Sequence, residues 1–533
     1  MNSIRFGLVL FLIPFIGCKE LEKNENSLLE RETDSLSIEE ALYRPNYHFT
    51  PKANWMNDPN GMFFLNGTYH LYFQYYPEGN VWGPMHWGHA TSKDMVVWQE
   101  QPIALFPDEK GYIFSGSAVV DNQNTSGFGS DSIAPIVAMF TYHDPVGEKE
   151  GRLDFQSQAI AYSLDEGQTF TKYAGNPVIK NPQIKDFRDP KITWDDIHKQ
   201  WVLVLATIKE TLFYTSSNLK EWKLQSNFGE GIGAHEGVWE CPDFFPMTIE
   251  GSKEIKWVLI QSLNPGGING GSGTQYFIGD FDGKTFSLDT LFAKDLEKEN
   301  SLWIDYGMDN YAGVTWSNIP DSDGRKLFLG WMSNWEYAQK VPTQKWRSAM
   351  TIARELKLVK SENSYRIVSQ PIKELQKYHK KSVKKDSLQV IKETVVVDSS
   401  MVDLTRAEIK FELKDLKEVT YTFIVHNKKG NEIRFGLNNK EKYFFIDRSK
   451  VGDNSFSEGF GNELSKAPYH SNYKDLSVWF LLDKTSIEIF YNNGETVMTE
   501  IFFADKPMST FSVDSENESV TIENLEANQF DFK

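Results

Sequence analysis

Short apolar and aromatic runs, broken by Gly, Asn, Asp and Pro, cover the chain from residue 46 to about residue 360. No stretch in this region sustains a helical period of apolar residues. The clearest runs are residues 68–75, 134–142, 201–207, 257–262 and 326–332. Many short strands separated by turn residues are typical of an all-β domain built from hairpins.

A weak internal repeat favours one β architecture. Four segments each follow an apolar run, make a polar turn and return on an aromatic residue, namely Trp98, Phe170, Trp222 or Phe286. These aromatic residues are 72, 52 and 64 positions apart, and spacings of about 50 residues or more suit four-stranded propeller blades. At roughly 60 residues per blade, residues 46–365 hold about five blades. Chance similarity between turns is the alternative, and the repeats alone do not decide between the two.

The pattern changes near Pro371. A linker with a short helix is predicted over residues 366–385, because Pro suits the first turn of a helix. Strand-like runs resume after it, and in one of them Ile487 and Ile489 share a face. Residues 386–533 are therefore predicted to form a β-sandwich.

Residues 1–18 resemble an export signal. Arg5 gives a positively charged start, and the apolar run over residues 6–16 is too short to span a bilayer. The run ends in a small residue before Cys18, like a bacterial lipoprotein cleavage site, so Cys18 is predicted to carry lipid and anchor the exported chain to a membrane. An ordinary signal peptide that ends near a cysteine is the alternative. Residues 19–45 are polar and are predicted to be a flexible tether.

Composition narrows the function classes. Of 533 residues, 40% are hydrophobic and 24% are charged, as in soluble globular proteins. The formal net charge of −18 argues against a nucleic-acid partner and suits a neutral substrate. Fourteen of the 15 Trp residues precede residue 360. Such a concentration suits flat apolar surfaces for sugar rings, although core filling is the commoner use of Trp.

Three carboxyl groups lie in apolar or aromatic surroundings, where a merely solvated charge is unexpected. Asp58 lies between Asn57 and Pro59 in a Trp-containing segment, Asp189 follows Phe-Arg, and Glu240 follows Val-Trp. Cleavage of a glycosidic bond needs one carboxylate at the anomeric carbon and a second, protonated carboxyl group that releases the leaving oxygen. Each Asp-Pro pair taken alone is more simply explained as a turn.

No metal ion or cofactor is predicted. His86 and His89 are three positions apart, and on a strand such positions point to opposite faces, so they do not make a ligand pair. The Gly-rich residues 266–273 lack the phosphate-loop pattern and are interpreted as a turn. Cys241 is interpreted as a buried, neutral neighbour of Glu240 rather than as a nucleophile.

The order of the motifs around the three carboxyl groups resembles glycoside hydrolase family 32, which contains invertases, inulinases and levanases. The likeness covers residues 46–533 and is greatest to the microbial levanase and exo-inulinase type. Several long motifs in the right order are far more specific than a single short pattern. They lie at residues 55–61, 73–77, 82–89, 114–116, 188–190, 240–242 and 331–335.

The resemblance implies an all-β fold, with a five-bladed β-propeller whose active site lies at one end of the central channel, followed by a β-sandwich. It implies that Asp58 is the nucleophile, that Glu240 is the general acid and base, and that Asp189 stabilises the transition state. It also implies a fructose pocket lined by further residues, which are Trp55, Asn57, Gln74, Trp82, Phe114, Ser115, Arg188 and Trp335.

These expectations combine into a retaining β-fructofuranosidase that releases fructose from β-fructans, levan or inulin, and from sucrose. A surface fructan-binding lipoprotein without turnover is one alternative, and the intact Asp58, Asp189 and Glu240 argue against it. A fructosyltransferase is the other alternative, because sequence does not distinguish water from sugar as the acceptor. The preferred fructan and the oligomeric state are left open.

Overall fold

A computed structural model describes residues 37–361, 364–470, 473–516 and 518–532. The predicted signal peptide over residues 1–18, its Cys18 and most of the predicted tether lie outside the described residues. The end of that tether differs from the prediction, because residues Ile38–Tyr43 form a helix, α1. Ser37 starts the helix, since its Oγ accepts a hydrogen bond from the Glu40 backbone N–H at 3.2 Å. Within the described ranges, no helix has the length and apolar character needed to cross a membrane.

Five antiparallel sheets follow one another along the first part of the chain. The first contains β1 (Asn54–Leu65), β2 (Thr68–Tyr76), β3 (His86–Ser92) and β4 (Trp98–Leu105). The second contains β5 (Tyr112–Val120), β6 (Ile136–His143), β7 (Gln156–Ser163) and β8 (Thr171–Lys172), with helix α2 (Pro145–Lys149) between β6 and β7. The third contains β9 (Arg188–Asp195), β10 (Gln200–Ala206), β11 (Thr211–Ser216) and β12 (Lys223–Phe228).

The fourth sheet contains β13 (Val238–Thr248), β14 (Ile255–Asn264), β15 (Gly273–Phe281) and β16 (Phe286–Leu288), and helix α3 (Thr290–Glu299) follows it. The fifth contains β17 (Tyr311–Thr315) and β18 (Lys326–Met332) and ends with β21 (Arg354–Ser361) and β22 (Ser364–Pro371). Two short strands lie between these pairs. β19 (Trp346–Arg347) pairs in parallel with β1, and β20 (Ala349–Met350) pairs with β18.

The first strands of the five sheets form a closed ring. β1 contacts β5, β5 contacts β9, β9 contacts β13, β13 contacts β17, and β17 returns to β1. A parallel bridge between Phe63 and Ser317 closes the ring. The sheets are therefore the blades of a five-bladed propeller, which confirms the predicted architecture.

The four repeated turns occupy equivalent places in the first four blades. Each joins the third strand of a blade to its fourth strand, and in three of them the serine ending the third strand accepts backbone hydrogen bonds in the turn. Ser92 accepts from Met95 at 2.8 Å, Ser163 from Gly167 at 2.9 Å, and Ser216 from Leu219 at 2.9 Å. The repeat is therefore structural rather than coincidental.

The predicted linker is shorter than residues 366–385. Strand β22 continues to Pro371, a 3₁₀ helix occupies Lys373–Tyr378, and strand β23 (His379–Val390) follows immediately. The lysine-rich part of the predicted linker is strand rather than a solvated segment, because it pairs along its length with the last strand of the chain.

The C-terminal region contains two six-stranded sheets, as expected of a β-sandwich. Its remaining strands are β24 (Thr394–Asp398), β25 (Arg406–Lys414), β26 (Thr420–His426), β27 (Glu432–Asn438), β28 (Tyr443–Lys450), β29 (Ser465–Pro468), β30 (Leu476–Asp483), β31 (Ser486–Tyr491), β32 (Thr496–Ile501), β33 (Thr510–Asp514) and β34 (Val520–Phe530). One sheet has the order β23-β34-β25-β30-β31-β32, and the other has β24-β33-β26-β27-β28-β29. A 3₁₀ turn at Asn492–Gly494 joins β31 to β32, where the sequence contains Asn-Gly.

A buried ionic cluster joins the propeller to the sandwich. Arg354 is fully buried and donates hydrogen bonds to Glu488 and, at 2.8 Å, to Asp305. The His48 ring lies between Asp483 at 2.9 Å and Glu488 at 2.8 Å. Burial alone would lower the pKa of His48, but these two hydrogen bonds raise it to about 9. Removing one member of such a buried cluster typically costs about 3 to 5 kcal/mol, so the two domains are firmly joined.

Candidate active site

The candidate catalytic residues lie at one end of the propeller channel. Asp58 is on β1, Ser115 on β5, Asp189 on β9, Glu240 on β13 and Tyr311 on β17, and each lies near the start of its strand. These five strands are the innermost ones of the five blades. Residues far apart in sequence are therefore brought together by the ring.

Every one of these strands has an irregular register at its candidate residue. The regular pairing is interrupted between Met56 and Pro59 on β1, and between Ile113 and Gly116 on β5. It is also interrupted beside Asp189 on β9, after Glu240 on β13 and after Tyr311 on β17. A bulge bends a strand and turns a side chain out of the alternating pattern. Five bulges at one level thus direct five polar side chains toward the end of the channel.

The Asp58 carboxylate accepts hydrogen bonds on both of its oxygens. Ser115 Oγ donates to Oδ2 at 2.6 Å, and Asn57 Nδ2 donates to Oδ1 at 2.9 Å. Ser115 is followed by Gly116, where a Cβ atom would come 2.0 Å from the Met139 carbonyl oxygen. The close approach of β6 therefore requires glycine there. Donors to both oxygens hold the carboxylate in a fixed orientation.

Asp189 has a left-handed backbone conformation, with φ of 64°. Its backbone N–H donates to Thr141 Oγ1 at 3.0 Å, and its Oδ2 accepts from the Cys241 backbone N–H at 3.0 Å. Burial, together with the negative charges of Glu240 and Asp58, raises the pKa of Asp189 to about 7, although Arg188 and the Cys241 N–H act against the shift. The carboxyl groups therefore influence one another electrostatically.

Glu240 is held at both carboxyl oxygens. Arg188 Nη2 donates to Oε1 at 2.8 Å, and the Tyr311 hydroxyl donates to Oε2. Arg188 is itself oriented by Asp186, which accepts from Nη1 at 2.5 Å. Burial and the charge of Glu240 raise the pKa of Tyr311 well above its usual value, so the phenol stays neutral and donates. The Gln261 side chain donates to the Glu240 carbonyl oxygen at 2.7 Å and fixes the backbone.

Cys241 lies between two of the carboxylates. Its Sγ is 3.4 Å from Asp58 Oδ2 and 3.6 Å from Asp189 Oδ2. Burial and the surrounding negative charges raise the pKa of this thiol well above its usual value. The side chain is therefore a neutral, buried neighbour, in agreement with its interpretation from the sequence.

The other predicted pocket residues form two groups around the carboxylates. Trp82 makes an edge-to-face contact with Phe114, with ring centroids 6.0 Å apart, and it is 38% exposed. Trp335 packs on Trp55 at 5.7 Å on the other side. Trp55 is fully buried and donates through Nε1 to Asn57 Oδ1 at 2.7 Å, so it supports its neighbours from behind.

Gln74 is also almost fully buried. Its Nε2 donates to the Ile113 carbonyl oxygen at 3.1 Å, beside the bulge on β5 that carries Phe114 and Ser115. The structure thus brings all eleven predicted catalytic and pocket residues to one region. Trp55 contacts it through the Asn57 side chain, and Gln74 through the Ile113 backbone carbonyl oxygen.

The loop that carries Trp335 is held by the sandwich. Ser272 Oγ accepts from the Trp335 N–H at 3.1 Å, and Ser272 belongs to the Gly-rich segment that joins β14 to β15. Asn269 in the same segment donates to the Lys466 carbonyl oxygen at 2.9 Å and accepts from the Lys466 N–H at 2.8 Å. Lys466 lies on the edge strand β29, so the second domain supports one wall of the pocket.

Three residues next to the candidate site were not predicted from the sequence. These are Tyr311, Asp186 and His143, whose ring stacks on Phe114 with centroids 4.2 Å apart. Tyr311 opens the inner strand of the fifth blade, and a search at the equivalent position in each blade would have found it. Of the two histidines declined as a metal pair, His86 lies beside the Pro84 carbonyl oxygen and His89 beside His70.

A separate cavity lies at the opposite end of the channel. It has a volume of about 790 Å³ and is lined by the later residues of the inner strands, such as Val120, Thr193, Met247 and Thr315. None of the three candidate carboxyl groups lines it. The candidate carboxyl groups and this cavity are therefore at different ends of the propeller.

Two family models match nearly the whole described chain. The N-terminal domain of glycosyl hydrolases family 32 matches residues 48–371, and the C-terminal domain of the same family matches residues 374–529. The chain belongs to glycosyl hydrolase family 32. Its propeller and sandwich correspond to the two domains that define this family, and the chain is thus a glycoside hydrolase.

Relatives of this family 32 chain share most of its length. The levanase of Bacillus subtilis is 45% identical over 485 residues, which are 91% of this chain and 70% of the relative. The extracellular exo-inulinase of Aspergillus niger is 40% identical over 489 residues, which are 86% of this chain and 89% of the relative.

Two solved structures share the fold closely. The exo-inulinase of Aspergillus awamori superimposes with a TM-score of 0.81 at 34% identity, covering 92% of this chain and 98% of that one. The fructofuranosidase of Schwanniomyces occidentalis in complex with fructose superimposes with a TM-score of 0.81 at 32% identity, covering 93% and 99%.

Proposed function

We propose that this protein is a retaining β-fructofuranosidase that hydrolyses β-fructans, levan or inulin, and sucrose, and releases fructose. The observation that carries the proposal is the cluster of Asp58, Asp189 and Glu240 at the end of the channel. Arg188 contacts Glu240 and Asp189, and Cys241 lies between Asp189 and Asp58. The levanase and exo-inulinase relatives support fructan as the substrate class. The likeness to those enzymes also favours release of single fructose units from the chain end.

In the proposed mechanism, Asp58 attacks the anomeric carbon of the fructosyl unit. The bond from that carbon to the leaving oxygen breaks, and Glu240 gives its proton to that oxygen. The product of this step is a covalent fructosyl-enzyme. Water then attacks the same carbon and gives a proton to Glu240, and the Asp58 carboxylate is released. Asp189 holds fructose hydroxyl groups in both steps.

Hydrolysis is preferred over fructan binding without turnover because of how Glu240 is held. A binding protein does not need a carboxyl group that receives donors on both oxygens from Arg188 and Tyr311, next to a second carboxylate fixed by Ser115. A fructosyltransferase uses the same groups with a sugar acceptor in place of water. Product analysis distinguishes the two, because a transferase lengthens the substrate.

Two substitutions test the catalytic roles. Asp58→Asn and Glu240→Gln each are expected to lower kcat by several orders of magnitude on sucrose and inulin while the melting temperature stays close to that of the unaltered protein. Asp196→Asn is the matched control, because this carboxylate is 80% exposed at the far end of β9. Near-normal turnover in either active-site variant would contradict the role assigned to that residue.

Stereochemistry tests the retaining mechanism. Retention requires the carboxyl groups of Asp58 and Glu240 to lie about 5 to 5.5 Å apart, whereas inversion needs about 6.5 to 9.5 Å. A retaining enzyme keeps the β configuration of the fructosyl unit of sucrose. The first fructose released is expected to have that configuration, as measured by rapid NMR before mutarotation. Initial release of the α anomer would overturn the nucleophilic role of Asp58.

We also propose that the chain is exported and anchored to a bacterial membrane by lipid on Cys18. The support is the signal-like residues 1–18, which end in a small residue before Cys18. Cys18→Ala should leave activity intact but move the enzyme from the membrane fraction to the soluble fraction. An unaltered protein that is soluble and carries no lipid would refute the anchor without affecting the enzymatic proposal.

A further inference from the structure

Trp82 and Phe106 stand out among the large aromatic side chains. Among the described residues, they are the Phe and Trp side chains with the greatest exposure, at 38% for Trp82 and 53% for Phe106. The remaining large exposed apolar side chains are aliphatic. Scattered exposed aliphatic residues are normal, but exposed aromatic residues grouped at one place mark a binding surface.

Both side chains lie at the active-site end of the propeller. Strand β1 begins beside the end of β2, and the end of β2 pairs with His86 at the start of β3. Trp87 in turn pairs with Leu105, the last residue of β4. Phe106 follows Leu105 directly, so it lies at the same end of the first blade as Asp58.

Aromatic side chains between the pocket and Phe106 form two neighbouring groups. Phe114 adjoins Ser115, and Trp82 packs edge-to-face on Phe114 at 6.0 Å and on Tyr112 at 6.5 Å. In the second group, Phe106 packs edge-to-face on His86 at 5.5 Å. The backbone joins the two groups, because the Ile113 N–H, next to Tyr112, donates to the Met85 carbonyl oxygen, next to His86, at 3.0 Å. We call these five side chains, Phe114, Trp82, Tyr112, His86 and Phe106, the aromatic ledge.

The backbone under Phe106 is fixed rather than loose. Lys172 Nζ donates to the Phe106 carbonyl oxygen at 2.6 Å and to Asp108 Oδ2 at 2.6 Å. The Tyr142 hydroxyl also donates to Asp108 Oδ2 at 2.6 Å. The ring is thus exposed on a rigid loop, and a rigid platform loses little conformational entropy when a ligand binds.

We propose that the outer part of the aromatic ledge, His86 and Phe106, binds fructosyl units of a long fructan beyond those at the bond being cleaved, with Phe106 as the platform. This inference rests on the proposed function and extends its site. A sugar ring presents C–H groups that pack on an aromatic face, and the ledge is continuous with the predicted fructose pocket through Phe114 and Trp82. Sucrose has no sugar unit beyond the two at the cleaved bond, so on this proposal Phe106 distinguishes long substrates from short ones.

The test compares substrates of different length in one set of variants. For Phe106→Ala, the ratio of kcat/KM on long inulin or levan to kcat/KM on sucrose is expected to fall about fivefold, which corresponds to about 1 kcal/mol. Phe106→Tyr keeps a ring and is expected to restore the ratio. Ile197→Ala is the control, since Ile197 is 64% exposed in the turn after β9, at the opposite end of the propeller.

A second measurement separates binding from catalysis. In the Glu240→Gln background, the dissociation constant for long inulin or levan should rise about fivefold when Phe106→Ala is added, a change of about 1 kcal/mol. An unchanged ratio and an unchanged dissociation constant would refute the ledge, provided that the unaltered enzyme cleaves sucrose. Failure of the unaltered protein to release fructose from any substrate would instead refute the proposed function.

Discussion

Replacing Tyr311 by Phe tests how the candidate acid/base is controlled. Tyr311 opens β17, is 1% exposed and donates its phenolic hydrogen to Glu240 Oε2. Because burial and the charge of Glu240 keep the pKa of this phenol well above its usual value, it acts as a donor at every pH of interest. Tyr311→Phe keeps the ring and removes that single donor from the ionised form of Glu240.

The size of the effect follows from the hydrogen bond that is lost. A hydrogen bond to a charged group contributes about 1.5 to 3 kcal/mol, and one pH unit corresponds to about 1.4 kcal/mol. Arg188 still donates to Oε1 at 2.8 Å in the variant, so part of the stabilisation of the ionised form remains. Removal of the Tyr311 donor should therefore favour the protonated form of Glu240. The fall in activity at high pH, which is the alkaline limb of the activity profile, should then move upward by roughly 1 to 2 pH units.

The assay is the pH dependence of kcat/KM on sucrose, because this quantity reports the free enzyme. Tyr72→Phe is the matched control, since Tyr72 is fully buried and its hydroxyl donates to the Gly167 carbonyl oxygen at 2.6 Å, away from the carboxylates. The control is expected to lower stability but to leave both limbs in place. If Tyr311→Phe moves the acid limb, or moves neither limb, Glu240 is not the group that sets the alkaline limb.

Two further predictions concern the domain junction and the buried thiol. The folded-state pKa of His48 is raised to about 9 from 6.5, so protonated His48 stabilises the folded protein fully below pH 6.5. This contribution is lost as the pH rises through 9. In urea unfolding, His48→Gln should therefore remove about 3 kcal/mol of the pH dependence of the free energy of unfolding. An equal fall in stability between pH 6 and 9 in His48→Gln would contradict this account. Burial and the neighbouring carboxylates keep the Cys241 thiol neutral. Iodoacetamide at pH 8 should therefore modify Cys241 only when the protein is unfolded in urea, as measured by mass spectrometry. Rapid modification of the folded protein would show that the thiol is exposed.

The blade count could be predicted from the sequence because a structural requirement recurs. The third and fourth strands of a blade must be joined by a tight turn, and the serine at the end of the third strand accepts the free N–H groups of that turn. The fifth blade lacks this signal, because its third and fourth strands, β21 and β22, meet between Ser361 and Ser364 with a different local sequence. The fifth blade was predicted only from the length of the propeller region, residues 46–365.

The linker was predicted less well because local composition was the only signal. The run of lysines after residue 379 suggested a solvated segment, yet β23 pairs with β34, which lies about 140 positions later. In this strand the lysines remain largely exposed while Val390 is fully buried at its end. Pairing between the first and last strands of a domain is a long-range contact, and periodicity within one segment does not reveal it.

The candidate site was predicted as a set of residues, but not as a geometry. Residue types and motif order pointed to Asp58, Asp189 and Glu240, whereas the register irregularities that aim them depend on the partner strands. Tyr311 was not predicted for the same reason, because its contact with Glu240 joins the inner strands of two neighbouring blades. Sequence motifs thus indicate candidate catalytic groups, and the ring of inner strands determines which of them meet.

The charges in the site fit the number of protons that the proposed mechanism requires. Three carboxyl groups share the Arg188 guanidinium, which lies 2.5 Å from Asp186, 2.8 Å from Glu240 and 3.9 Å from Asp189. The Asp58 carboxylate adds a further negative charge next to Asp189, with Cys241 Sγ between the two. Burial and the like charges of its neighbours raise the pKa of Asp189 to about 7, so near neutral pH the cluster is partly protonated at rest. A retaining glycosidase begins its first step with one proton on the pair of nucleophile and acid. In the proposed mechanism, fructose hydroxyl groups donate to Asp189 and favour its ionised form, so substrate binding is expected to leave the proton on Glu240.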